Sequence, residues 1–152
     1  AGHAQELIES GKSASEIVAV LEEMKSKIKV LAAVDTLEYL CKGGRVSKAT
    51  AAIGEMAKVK PMITVANGEV AVIGKSLGKN KAISNLLKAF EECEVDERFP
   101  IYSVSTLGTE NCEVFEKRFT ETGNSFKERV QIGATIGTHV GPGAFGVIFV
   151  EK

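Results

Sequence analysis

Pro61-Met-Ile-Thr-Val-Ala-Asn-Gly-Glu-Val-Ala-Val-Ile-Gly74 holds two apolar runs separated by Asn67-Gly68. Asn-Gly tolerates positive φ at both centres of a tight turn whose twist suits antiparallel strands. The stretch therefore predicts a β-hairpin, with strands at 62–66 and 69–74. Outside it, 28–34, 101–105, 126–133 and 145–150 read as further strands, set apart by helical patterns except for a glycine-rich connection between the last two. About six strands interleaved with helices, of which at least one pair is a hairpin, indicate an α/β layered domain with a mixed sheet and helices packed on it.

The helices come from periodicity and punctuation. Residues 4–10 form a short helical stub that Gly11 stops, which reads as the tail of a longer helix. Ser13 with Glu16 makes a capping box, followed by Ile17, Val20, Leu21, Met24 and Ile28 on one face. Asp35 is expected to N-cap a helix that Gly43-Gly44 ends. Ser47 is expected to cap the next helix, which carries Ile53 and Met56. Beyond Gly78, Ile83, Leu86, Leu87 and Phe90 predict an amphipathic helix. A last helix over about 109–122 places Val114, Phe115 and Arg118 at helical spacing.

Composition narrows the class. The chain has 152 residues, enough for one domain (1–152) with a substantial core. Its hydrophobic share of 44%, charged share of 26% and net charge of -1 give no general attraction for nucleic acid or acidic membranes. An anion site must then be local. Cys41, Cys93 and Cys112 are odd in number, far apart and without CxxC spacing, so neither a disulfide framework nor a metal site is expected, and the pattern suits a reducing cytoplasm. Residues 130–150 contain no Asp, Glu, Lys or Arg, but five glycines and Pro142 lie among them. That suits a buried strand–loop–strand rather than a membrane span.

Two segments could carry chemistry. In Asp35-Thr-Leu-Glu-Tyr-Leu-Cys-Lys-Gly-Gly-Arg-Val-Ser47, two glycines place Arg45 on a tight turn before a new helix start, where a guanidinium fork and backbone N–H groups can face one carboxylate or phosphate. The plainer reading makes Gly43 a helix cap and Arg45 a surface ion-pair partner. In the glycine-rich connection Gly133-Ala-Thr-Ile-Gly-Thr-His-Val-Gly-Pro-Gly-Ala-Phe-Gly146, the backbone can approach a ligand closely, with Thr138 and His139 as hydrogen-bonding groups. A structural histidine is the alternative there. No GxxxxGK[ST] loop and no HExxH motif is present, nor a cluster of His and carboxylates, so an enzymatic site is not indicated.

DTLEYLCKGGRVS (35–47), VKPMITV (59–65) and IGTHVGPGAFGVIF (136–149), in this order and at these intervals, resemble the DegV family. The resemblance covers the whole chain but only the second half of a family member. It implies a bacterial, two-domain, non-catalytic protein that buries one long-chain fatty acid as ligand, with no cofactor. The carboxylate lies near the domain junction and is presented to a separate fatty-acid kinase that makes acyl phosphate. The N-terminal domain with its Thr-Asp-Ser segment is missing from this chain. By position, Arg45 and His139 match the family's polar head-group residues, and Thr138 is a neighbour.

The sequence departs from the resemblance at Leu77, where family members that work with the kinase commonly carry Arg. Lys75 or Lys79 could supply a charge there, though not a guanidinium fork. Two other classes stay open on residues alone: an enzyme acting on a small anionic molecule through Arg45 and His139, and a ligand-free interaction domain.

Overall fold

The computed structural model describes residues 2–47, 58–66 and 68–152. Among them the chain forms α1 (Gly2–Glu9), α2 (Ala14–Lys27), β1 (Ile28–Ala33), α3 (Glu38–Lys42), β2 (Val59–Ala66) and β3 (Glu69–Leu77). It continues with α4 (Lys79–Glu91), β4 (Tyr102–Ser105), α5 (Glu110–Glu121), β5 (Glu128–Gln131), α6 (Ala134–Val140) and β6 (Phe145–Val150). The helix expected after Ser47, with Ile53 and Met56, lies outside the described residues, as does Asn67.

The hairpin forms as the Asn-Gly turn requires. β2 and β3 pair antiparallel from Ala66↔Glu69 outward, and β3 runs on to Leu77 past an irregularity at Met62/Ile63. The six strands make one sheet in the order β3-β2-β1-β6-β4-β5. Every neighbouring pair is antiparallel except β4 and β5, which are parallel. The sheet is therefore mixed.

One face of the sheet buries the larger core. Ile83, Leu86, Leu87 and Phe90 of α4 and Cys112, Phe115 and Phe119 of α5 pack there on Leu31, Met62, Phe145, Val147 and Phe149. The buried stripe of α5 is thus 112, 115 and 119, not the Val114–Phe115–Arg118 set. Val114 is exposed, and Arg118 reaches across to hydrogen-bond Ser84 Oγ and the Asn80 carbonyl of α4. Burial pushes the Cys112 thiol up to about 12, which keeps it an inert core residue.

Four local expectations change. Asp35 does not cap α3; Leu37 occupies that position without a side-chain bond, and Thr36 Oγ1 accepts from the Glu38 N–H. Asp35 is instead drawn to Lys60, whose Nζ lies 2.5 Å from its carboxylate. The capping box of α2 is present, with Glu16 Oε2 accepting from Ser13 N at 2.8 Å. Its apolar face, however, contributes no fully buried residue, and Ile17, Val20, Leu21 and Met24 stay half-buried. β5 is shorter than 126–133 and exposed along its length, so it is an edge strand rather than a buried apolar one. Finally, 134–140 is helix, not loop, so the stretch 130–150 is strand–helix–strand.

The exposed edge strand is tied down by charge. Arg129 of β5 donates from Nε and Nη2 to both carboxylate oxygens of Glu116 on α5, the Nε contact at 2.8 Å, and Ser103 Oγ donates to the same carboxylate. These contacts, the Arg129 bonds above all, hold the Glu116 carboxyl below the usual carboxylate range. A lowered folded value contributes stability above the unfolded carboxylate value, and that stability is lost as pH falls through the folded value. Glu116→Gln should cost about 1–3 kcal/mol at neutral pH and show a shallower acid-induced loss than the parent. Chemical denaturation at neutral and strongly acidic pH measures this; parallel pH profiles for the two proteins would contradict it.

Candidate functional site

The second face of the sheet carries a smaller cluster, in which Leu37, Leu40, Ala144 and the partly buried Val140 pack on Ala32 and Ile63. This packing seats α3 and α6 side by side at the end of the sheet where β1 finishes and β6 begins. Both helices are too short to hold together alone, so their positions depend on this contact.

α3 ends at Gly43, whose N–H bonds the Tyr39 carbonyl, and Gly44 follows at φ +71. The Arg45 N–H then bonds the Leu40 carbonyl at 2.8 Å, completing the turn. α6 ends at Gly141, φ +83, whose N–H bonds the Gly137 carbonyl.

The helices meet through these two terminal glycines. A Cβ on Gly43 would fall 2.8 Å from His139 Cε1, and one on Gly141 would fall 2.9 Å from Tyr39 Cε2. Each helix thus lays a ring on the other's last glycine, which explains why no side chain stands at either place. Gly43 is engaged a second time, because Arg45 Nη1 donates to its carbonyl at 2.7 Å.

Gly43 therefore joins the two head-group candidates, with the imidazole against its Cα and the guanidinium on its oxygen. Arg45 is exposed and pairs with no carboxylate among the described residues. His139 is half-buried, and its ring makes no hydrogen bond among the described residues. A fork that meets only the Gly43 carbonyl, near an imidazole without a hydrogen bond among the described residues, is suited to receive a carboxylate or phosphate oxygen. No carboxylate among the described residues orients the imidazole. The Lys60–Asp35 pair nearby neutralises itself.

The other candidates stand apart. Thr138 is exposed, and its hydroxyl donates within α6 to the Thr135 carbonyl at 3.0 Å. Lys75 lies exposed on the outer strand β3 and Lys79 opens α4, with Leu77 between them 72% exposed; β2 separates this strand from β1.

An apolar track runs away from the Arg45–His139 end on the same face. Val30, two residues before Ala32, pairs with Ile148, which pairs with Tyr102; opposed residues of antiparallel strands share a face. All three are half-buried. At the far end, beneath α1 and α2, lies a cavity of 240 Å³ lined by Met24, Ile28, Phe99, Tyr102 and Ile148 among others. That is below the range of about 300–1,000 Å³ usual for ligand pockets. Sequence reading missed Gly43 and Tyr39 as parts of this site, although both lie within the segment that singled out Arg45. Among the described residues there is no cluster of His, Cys, Asp and Glu that could hold a metal, and no helix is long and apolar enough to cross a membrane.

A family model described as an uncharacterised protein of the DegV family matches residues 1–152. A DegV domain-containing protein of Caldanaerobacter subterraneus is 36% identical over 147 residues, covering 93% of this chain and 51% of that protein. The crystal structure of a fatty acid binding DegV family protein from Streptococcus agalactiae is similar, with a TM-score of 0.82 at 26% identity over 98% of this chain and 53% of that one. The Streptococcus pneumoniae fatty acid kinase B3 protein, loaded with linoleic acid, shares the fold at a TM-score of 0.85 and 16% identity, over 99% of this chain and 54% of that one. The chain spans about half the length of the relatives it matches.

Proposed function

The chain belongs to the DegV family, and from that membership we propose that it is the C-terminal half of a two-domain carrier that buries one long-chain fatty acid. Its carboxylate sits at Arg45 and His139 and is presented there to a separate fatty-acid kinase. The observation that carries this reading is the junction at Gly43, which brings the guanidinium and the imidazole of two distant segments to one place with neither group paired to a carboxylate among the described residues.

The acyl tail lies along Val30, Ile148 and Tyr102 toward the cavity beneath α1 and α2, where each buried methylene contributes about 0.8 kcal/mol. Affinity is then set by the tail and position by the head. Thr138 adjoins His139 in the chain, but its hydroxyl is held by the Thr135 carbonyl and needs a rotamer change to take part. The kinase is met at Lys75 and Lys79 around Leu77, by point charges in place of a guanidinium fork. The carrier performs no chemistry itself, works in the bacterial cytoplasm and needs no cofactor.

The track is open on this chain and its cavity is small, so the isolated domain leaves the head group wet and the tail half-covered. Titrating a fluorescent long-chain fatty acid into the two-domain parent should give saturable one-to-one binding, and into this chain alone weak binding or none. Submicromolar one-to-one binding to this chain alone would refute the shared site. Absence of binding by the parent would refute the carrier.

A further inference from the structure

We propose that Tyr39 is the positioning residue for His139, acting through the pair of ring-on-glycine contacts that lock α3 to α6. The geometry has two halves. Tyr39, one turn before Gly43, rests on Gly141 at the C-terminal end of α6. His139, two residues before Gly141, rests on Gly43 at the C-terminal end of α3. Neither ring can drop without the other helix moving, because each is stopped by backbone rather than by a flexible side chain.

The alternative supports for the imidazole are absent among the described residues. No hydrogen bond holds either ring nitrogen, and α6 has no fully buried residue of its own. Val140 reaches the second-face cluster only partly buried, so it fixes the depth of α6 but not its rotation. Rotation is set where Tyr39 meets Gly141. The ring is 40% exposed, more than a purely space-filling aromatic would leave in water. Its phenolic oxygen has no partner among the described residues, and ring carbons rather than the hydroxyl make the contact. The value of this coupling for lipid presentation rests on the head-group reading above; the coupling itself does not.

The chain contains two histidines, His3 and His139, and His3 packs far away against Phe99 on the cavity side. Proton–carbon NMR of the histidine rings therefore carries its own control. In ligand-free protein, Tyr39→Ala should move the His139 ring resonances while those of His3 stay in place, and Tyr39→Phe should leave both unchanged. If Tyr39→Ala unfolds the chain, seen as both rings moving to random-coil positions, Tyr39→Leu gives the same test with less lost volume. A His139 signal unmoved in a folded Tyr39→Ala or Tyr39→Leu protein overturns the proposal. So does a Tyr39→Phe protein that shifts His139 as alanine does.

A second readout separates coupling from function. In the lipid-loaded two-domain protein, Tyr39→Ala should lower acyl-phosphate formation about tenfold to a hundredfold, the range expected for a reacting group misplaced by an ångström, with Tyr39→Phe near the parent rate. A shifted His139 ring with unchanged phosphorylation would overturn the head-group reading and leave the coupling standing.

Discussion

Replacing Arg45 or His139 with alanine in the lipid-loaded two-domain protein is expected to cut acyl-phosphate formation by about tenfold to a hundredfold while leaving the fatty acid bound. Arg45 offers a guanidinium that no described carboxylate neutralises, and His139 an imidazole with no described partner. Losing one charge-assisted hydrogen bond to the head group costs about 1.5–3 kcal/mol, which is roughly that factor. The tail, at about 0.8 kcal/mol per methylene, keeps the lipid in place. The carboxylate then wanders, and transfer to it slows because reaction depends on ångström-level placement. Arg45→Lys should recover only part of the rate, since an ammonium cannot hold both the Gly43 carbonyl and a carboxylate in the plane of a fork. Measuring bound lipid and acyl phosphate side by side, with the kinase of the same organism, checks this. Wild-type phosphorylation by both alanine variants would return Arg45 and His139 to structural roles.

The largest effect on stability is expected from Phe119→Ala. Phe119 is fully buried on α5 and stacks on Phe126 at a centroid distance of 4.1 Å, with Phe90 at 4.8 Å and Phe115 at 5.8 Å. It therefore links both helices of the first face to the segment that leads into β5. Truncation leaves a void bounded by three rings, which cannot all collapse into it, at a cost of about 3–5 kcal/mol. Against a total of about 5–15 kcal/mol for a domain, that is a large share. Chemical denaturation should show a lowered midpoint at similar slope. Val114→Ala, exposed on the same helix, should change little. Equal losses for the two variants would mean that the buried stripe of α5 is misassigned.

The parts of the fold legible in the sequence are those fixed by neighbours in the chain. Asn67-Gly68 announced the hairpin, Ser13 and Glu16 the start of α2, and Ile83 to Phe90 the buried face of α4, because turn geometry, capping and helical period are local. Where partners are distant, the reading failed. Asp35 had the right chemistry for a cap, but Lys60, 25 residues on, took its carboxylate. The five glycines among 130–150 suggested a loop, yet Gly133 and Gly141 sit at the two ends of α6, and only Gly137 falls inside it. At the candidate site, Arg45 and His139 were singled out as candidates from their own segments. What joins them was not, since the contact of the imidazole with Gly43 spans most of the chain and leaves no periodic trace.

The central claim is that this chain supplies half of a fatty-acid carrier, and native mass spectrometry of the two-domain parent purified from a bacterial host tests it most directly. The account predicts a single retained mass of fatty-acid size per protein, lost on denaturation and identified as a long-chain fatty acid on extraction. A parent that is fully folded and carries no such mass, and acquires none when incubated with long-chain fatty acid, would contradict it.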